Sequence, residues 1–435
     1  MLSIVESDAF HPRGSEPVNA RYPGTRTVAL AWVFALAWAF AVAWLLGRGL
    51  APPAAPPVPV GEVLPADLLA EAREFRGSLR LIGLLGQATA IAALAALALY
   101  RGFPPARLLG RIEARPILAG AALGAVLALV LYLVRLPFAF AGWRLGVDYG
   151  LLTMDTGTWL IDGLKGLLIS VVLFGLGGGL ATWAWARFGR RFWLFTSAGL
   201  AVFAVVWVWV WPVIVTPLFN RVEPLPAGPA RADLERIAER AGVQVEGVFT
   251  EDASRRTRTV NAYVNGLGPS RRVVIQDTAL ERLGPGETAA IVAHEIAHVE
   301  YRDPERGLVF ALLVIPPATL AVQLLALALL RRRGERASTP VVVLPLALGV
   351  ALASFALSIP GASLSREIEA RADQRALELT GDPASVISLQ RTIARTNLQD
   401  PSPPAVWTSL FGSHPPAVER IGQARAFERE KGGAQ

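Results

Sequence analysis

The chain has 435 residues, 53% of them hydrophobic and only 18% charged, with a net charge of +7 and no cysteine. So much apolar and so little charged sequence lies outside the range of an ordinary soluble domain and points to a bilayer. Without cysteine there are no disulfides and no thiolate metal ligands, and the positive charge, nearly all arginine because Lys165 and Lys431 are the only lysines, is scattered between apolar runs rather than gathered on one basic face, which excludes a nucleic-acid binder.

A polar tail, 1–27, precedes VALAWVFALAWAFAVAWLLG at 28–47, which exceeds the roughly 7–15 residues of a signal-peptide core and reads as a retained span. The Pro/Ala-rich linker LAPPAAPPVPVGEVLP leads to a helical segment at 66–78. Apolar runs at 80–100, 116–134, 160–185 and 192–215 then complete five spans within 28–218, each long enough for the roughly 20 residues a crossing needs. Polar residues inside spans are costly. WLIDGLKG sets Asp162 and Lys165 three apart, placed to pair, while Gln87 and Gln323 sit deeper and either bond between helices or line a cavity.

The stretch 219–306 is longer and more charged than any other connection and reads as a soluble insert. RADLERIAERAGV has helical spacing; VEGVFTED, RTVNAYVNG and RRVVIQDT read as short strands, with NGLGPS the turn between the last two. RTVNAYVNG is either an ordinary hairpin strand or an exposed edge that captures an extended peptide. Two further spans, 307–330 and 340–360, separate this insert from a polar tail, 361–435, with helices at 363–380, 384–397 and 416–430. Insert and tail therefore lie on the same side of the membrane and can build one site.

The insert ends in AAIVAHEIAHVEYRD. Residues four apart share a helix face, so His294 and His298 can address one metal, with Glu295 leaning over its water. Zinc lowers the pKa of bound water to about 7, and an adjacent carboxylate takes the proton as a carbonyl is attacked. A catalytic zinc wants a third protein ligand. LSREIEARADQRALEL offers Glu369 and Asp373, four apart, one to ligate and one to buffer a histidine N–H from behind; Glu367 competes, pointing about 160° away from Glu369.

HEIAH followed after two apolar spans by SREIEARAD, with PLFNRVEPLPAG, NAYVNGLGPSRRVVIQDT and GSHPPAVERI, resembles the integral-membrane zinc metallopeptidases of the type I CAAX prenyl protease family. The resemblance implies His294, His298 and Glu369 as ligands of one Zn2+ per chain, Glu295 as general base and Asp373 as the partner of a ligand histidine. It also implies His414, with Arg420 beside it, as oxyanion donor, and Asn261 as a holder of substrate backbone. The fold class expected is mostly α: a polytopic bundle of about seven transmembrane helices with a small α+β, zincin-like catalytic domain. That domain joins the insert, 219–306, to the segment 361–435, around the spans of 28–218 and 307–360.

The expected function is a zinc-dependent endopeptidase of the cell membrane, acting on a peptide or protein and needing the lipid bilayer but no nucleic acid. The resemblance puts the catalytic face toward the cytosol, whereas short connections rich in arginine, such as Arg187, Arg190 and Arg191, fall on the opposite face and favour the reverse. The Ala-, Arg-, Gly- and Pro-rich composition is that of high-GC bacterial proteins, which sets heat-shock-type quality control beside CAAX processing as an alternative role. A transporter or receptor with a structural metal is the reading from a different class.

Overall fold

The computed structural model describes residues 23–100, 115–266, 271–333 and 340–432. The tail 1–22, residues 267–270 of the NGLGPS turn, and the connections 101–114 and 334–339 with their arginines lie outside the described residues.

Five long helices come first: α1 (Thr25–Gly47), α2 (Ala66–Leu99), α3 (Pro116–Asp148), α4 (Thr156–Phe188) and α5 (Phe192–Val210). Asp155 caps α4 by accepting from the Thr158 N–H at 2.6 Å. Gly189, with φ of +49° that a side chain would resist, redirects the chain between α4 and α5. Beyond α5 lie β1 (Val222–Pro224), α6 (Pro229–Arg240), β2 (Gly247–Glu251), β3 (Ala262–Asn265), β4 (Arg272–Gln276) and α7 (Pro285–Glu300). Two long helices, α8 (Asp303–Arg333) and α9 (Val343–Thr380), lead to α10 (Pro383–Thr396), α11 (Ala405–Phe411) and α12 (Ala417–Gly432).

Among the described residues six helical stretches are long and apolar enough to cross a membrane, and the longest, Thr156–Phe219, contains both α4 and α5, so the apolar helices agree with the seven expected spans. They turn large apolar side chains outward, among them Leu30, Trp44, Leu168 and Val202, which water would penalise and lipid does not. Inside the bundle, small residues replace the hydrophobic effect as the means of close packing. A Cβ on Gly124 would collide with the Phe174 carbonyl, and one on Gly178 with that of Gly120, so α3 and α4 meet backbone to backbone.

The four polar residues that the sequence singles out in the spans, Asp162, Lys165, Gln87 and Gln323, are partnered. Asp162 accepts from Lys165 Nζ at 3.2 Å and from Arg256 Nε at 2.8 Å, the latter reaching up from the insert. Gln87 accepts from Arg135 at 2.8 Å, and Gln323 accepts from the Trp193 N–H at 2.9 Å and donates to the Gly189 carbonyl at 3.1 Å.

Three details differ from the sequence-based expectation. The segments 66–78 and 80–100 form one helix, as do 340–360 and 363–380, because neither junction carries a break strong enough to stop a helix; Pro360 removes one donor within α9 without ending it. The third is β1, three residues around a proline, too short to show a period. The sheet runs β1-β2-β4-β3, with β2 parallel to β4 and both outer pairings antiparallel, so β3 is an edge. Val260 and Ala262 enter the core with Val248, Val273 and Ile275, against α6 and α7; the alternate residues Asn261, Tyr263 and Asn265 face the other way.

Substituting Gly124→Val should force α3 and α4 apart and destabilise the protein by about 1–3 kcal/mol, as overpacking does. A thermal unfolding midpoint in detergent equal to that of the wild type would contradict this packing.

Candidate active site

Helix α7 opens at Pro285, and Glu287 reaches back to the Gly284 N–H at 3.0 Å while its other oxygen accepts from Ser388 and Thr392 of α10, both at 2.7 Å. These bonds fix the start of the helix. Its apolar residues, including Ala290, Ile291, Val292 and Ile296, bury against the sheet and the C-terminal helices, leaving His294 and His298 on one face toward α9.

There α9 delivers Glu369. Its Oε2 lies 3.1 Å from His294 Nε2, its Oε1 3.7 Å from His298 Nε2, and the two imidazole Nε2 atoms are 3.2 Å apart. One donor atom from each residue falls within 4.8 Å of the others. With metal–donor bonds of about 2.0–2.2 Å, the edge of a tetrahedron is about 3.3–3.6 Å, so the observed separations fit one zinc-sized ion. Glu367, on the opposite side of the helix, packs instead against α1 at Gly47.

A second layer fixes each histidine. Asp373 Oδ1 lies 3.0 Å from His294 Nδ1, with the ring turned off a linear hydrogen bond, and Arg420 grips Asp373 with both Nε (2.7 Å) and Nη2. Arg420 thus meets Asp373 rather than His414 directly, although all three line one cavity. Behind His298, Asp303 Oδ2 stands 3.0 Å from Nδ1 and its Oδ1 accepts from Arg306 at 2.9 Å and from Arg371, whose guanidinium lies over the Tyr301 ring. Asp303 escaped the sequence reading because an Asp-Pro pair after a helix reads as a break; its spacing of five from His298, across a tight turn, was the available signal. Arg302, with φ of +55°, makes that turn.

Glu295 is 8% exposed, and among the described residues nothing hydrogen-bonds its carboxyl. Burial raises its pKa above the ordinary carboxylate value, against the pull of the two histidines. His294 is pulled down by burial but pushed further up by Asp373 and Glu369, to about 10 in the absence of a metal. His414 Nε2 reaches Glu369 Oε2 at 3.3 Å and its Nδ1 lies 2.8 Å from Ser413 Oγ. Its side chain is 51% exposed, yet it is walled closely enough that desolvation lowers its pKa, leaving a neutral imidazole at pH 7. Asn261, the residue immediately before β3, joins Glu295, His294, His414 and Arg420 around a cavity of about 90 Å³.

Comparisons with known proteins bear on the fold and the class of enzyme. The family model described as Peptidase family M48 matches residues 224–428, and that of the CAAX prenyl protease N-terminal region, five membrane helices, matches residues 53–221. The chain is 29% identical over 312 residues to an uncharacterized metalloprotease, YhfN, of Bacillus subtilis, covering 70% of this chain and 72% of that one. It is 29% identical over 168 residues to CAAX prenyl protease 1 of Saccharomyces cerevisiae, covering 38% and 37% respectively. The fold matches the crystal structure of S. mikatae Ste24p with a TM-score of 0.73 at 20% identity, over 91% of this chain and 98% of that one. Residues 224–428 match peptidase family M48, and the chain is a multi-pass membrane metalloprotease of the CAAX prenyl protease-like kind.

Proposed function

We propose that the chain is a zinc-dependent endopeptidase in which His294, His298 and Glu369 hold the ion and Glu295 moves the proton. The observation that carries this reading is the convergence of three donor atoms within 4.8 Å beside a cavity that Glu295 lines. Three ligands and an open side suit a catalytic zinc, whereas the structural metal of a transporter or receptor closes with four. A zinc held there supplies Lewis-acid chemistry, activating water toward a peptide carbonyl.

The chain's own groups do the rest. An extended substrate segment lies along β3, with Asn261 holding its backbone and the strand edge offering main-chain bonds. Glu295, its proton affinity raised by burial, takes the proton of the attacking water and passes it to the departing amine. In the tautomer that accepts from Ser413 at Nδ1, His414 carries its N–H on Nε2, on the side of Glu369, where it can donate to the oxyanion. Asp373 and Asp303 hold the two ligand imidazoles in the tautomers that leave Nε2 free for the ion. The relatives named CAAX prenyl proteases support a protein C-terminus at a membrane surface as the substrate.

Glu295→Gln should keep zinc and lose about 10²–10⁴-fold in peptidase activity, while His298→Ala should lose both. Hydrolysis at the wild-type rate by the Gln variant, measured with a reporter peptide alongside zinc content, would sink the mechanism. Asp303→Asn should weaken zinc binding about 10–100-fold in a chelator competition; unchanged affinity would reduce Asp303 to a packing role.

A His294 that carries its proton up to about pH 10 must release it when the ion binds. Zinc uptake at pH 7 should therefore expel a proton, and apparent affinity should rise with pH toward 10. Titration calorimetry in buffers of different ionisation enthalpy reads this directly, and zero net proton release would contradict it.

A further inference from the structure

Apart from the cavity that holds the histidines, one of about 450 Å³ lies between the sheet and the end of the apolar stretch Thr156–Phe219. The size falls within the roughly 300–1,000 Å³ of clefts that enclose a ligand. Beyond α5 the chain makes a wide π turn, Trp211–Val215, and one further helical turn, Thr216–Phe219, which bring the Trp211 and Phe219 rings to this cavity. Glu251 of β2, Gln276 of β4, and Tyr263 and Asn265 of β3 line it from the sheet.

These groups leave acceptors in want of a donor. Glu251 is 4% exposed, and its carboxylate meets neutral groups: Asn220 Nδ2 donates to Oε1 at 2.6 Å, Gln276 Nε2 donates to Oε2 at 3.3 Å, and the Tyr263 phenol lies beside it. Two cations stand close by and are committed elsewhere. Arg256 donates to Asp162 and to Asn220 Oδ1, both at 2.8 Å; Lys165, lying over the Phe219 ring, donates to Asp162 at 3.2 Å and to the Leu218 carbonyl at 2.8 Å. Gln276 Oε1 is buried without a hydrogen-bond partner, and turning the amide over would set that oxygen against the Glu251 carboxylate. A buried orphan acceptor is costly until a donor reaches it. Aromatic rings beside a carboxylate favour a cation as that donor, as in the cages that hold alkylammonium groups.

Alternate residues of a strand share a face, so Asn261, Tyr263 and Asn265 stand in a row of about 13 Å at roughly 3.3 Å per residue. Asn261 is at the catalytic cavity and the other two are at this one, so a single extended segment added to β3 reaches both. Antiparallel addition, the slightly more stable pairing, runs such a segment from Asn265 toward Asn261. We propose that this cavity is the subsite for a lysine or arginine side chain of the substrate, about two to four residues on the N-terminal side of the cleaved bond. Glu251 and Gln276 Oε1 accept from its cationic head, and the Trp211 and Tyr263 rings enclose its stem. The proposal rests on the peptidase reading above and adds a side-chain preference that reading leaves open.

The test uses the full-length, zinc-loaded protein in detergent and a fluorogenic peptide of uncharged residues. One lysine is placed at each position before and after the cleaved bond in turn, with norleucine as its uncharged match. One position ahead of the bond should favour lysine about 10–100-fold in kcat/KM, the range of a hydrogen bond to a charged group, and chiefly through KM. Glu251→Gln should bring that ratio toward one and Glu251→Asp should keep part of it; if the Gln variant does not fold, Trp211→Leu with Gln276→Leu reads the same ratio. Equal cleavage of lysine and norleucine peptides at every position would overturn the subsite and leave the peptidase standing. A lysine preference that survives Glu251→Gln, or that falls only after the cleaved bond, would place recognition elsewhere and overturn the proposal too. No cleavage of any peptide would remove the peptidase reading and the subsite with it.

Discussion

Buried charge that cannot stand alone organises the catalytic half of the molecule. Glu369, Asp373 and Asp303 are all less than a tenth exposed, and an unpaired carboxylate at such depth would be costly. Each is matched by a partner from a different stretch of chain: Asp373 by Arg420 of α12, Asp303 by Arg371 of α9, Glu369 by the histidines of α7. Because both histidines are backed by carboxylates, the pairs draw α7, α8, α9 and α12 to one point. The fold and the candidate metal site are consequences of the same set of contacts.

The bundle beneath serves this meeting. Helices α8 and α9 are membrane spans whose extramembrane ends carry Asp303 and Glu369, so the two halves of the site stand on adjacent spans rather than on loops. The salt bridge from Arg256 down to Asp162 of α4 ties the catalytic sheet to the same membrane frame at another corner. At a third, Arg76 clasps the carbonyls that end α10. A peptidase domain sewn to its spans at several places has little freedom to tilt away from the bilayer.

How much of this was legible in the sequence follows from how local each signal is. The histidines and Glu295 declare themselves because helical spacing alone puts them on one face. Helical arithmetic said only that Glu369 and Glu367 could not both face the metal, and the family resemblance chose Glu369; the geometry sets Glu369 at the histidines and Glu367 against α1. Span number was readable from apolar run length, whereas the fusion of spans with their extramembrane helices was not, since a polar stretch after an apolar one looks like a new element even when the backbone never breaks. The partnerships of Asp303 with Arg371 and of Asp373 with Arg420 were invisible for a different reason: they join residues 68 and 47 positions apart, and only the folded chain brings them together.

The unbroken helix α9 has a mechanical meaning. Glu369 stands nine residues beyond Pro360 on the same rod, about 13 Å along the axis at about 1.5 Å per residue. Pro360 lacks the hydrogen bond that would stiffen the helix there, which makes it the natural fulcrum. A tilt of about 5° around that point carries Glu369 sideways by roughly 1 Å, from the lever length that the helical rise sets. Spans tilt when the bilayer thins or thickens. Helix α9 is thus a lever with lipid at one end and a candidate metal ligand at the other, and it makes the thickness of the surrounding membrane a variable in the coordination geometry.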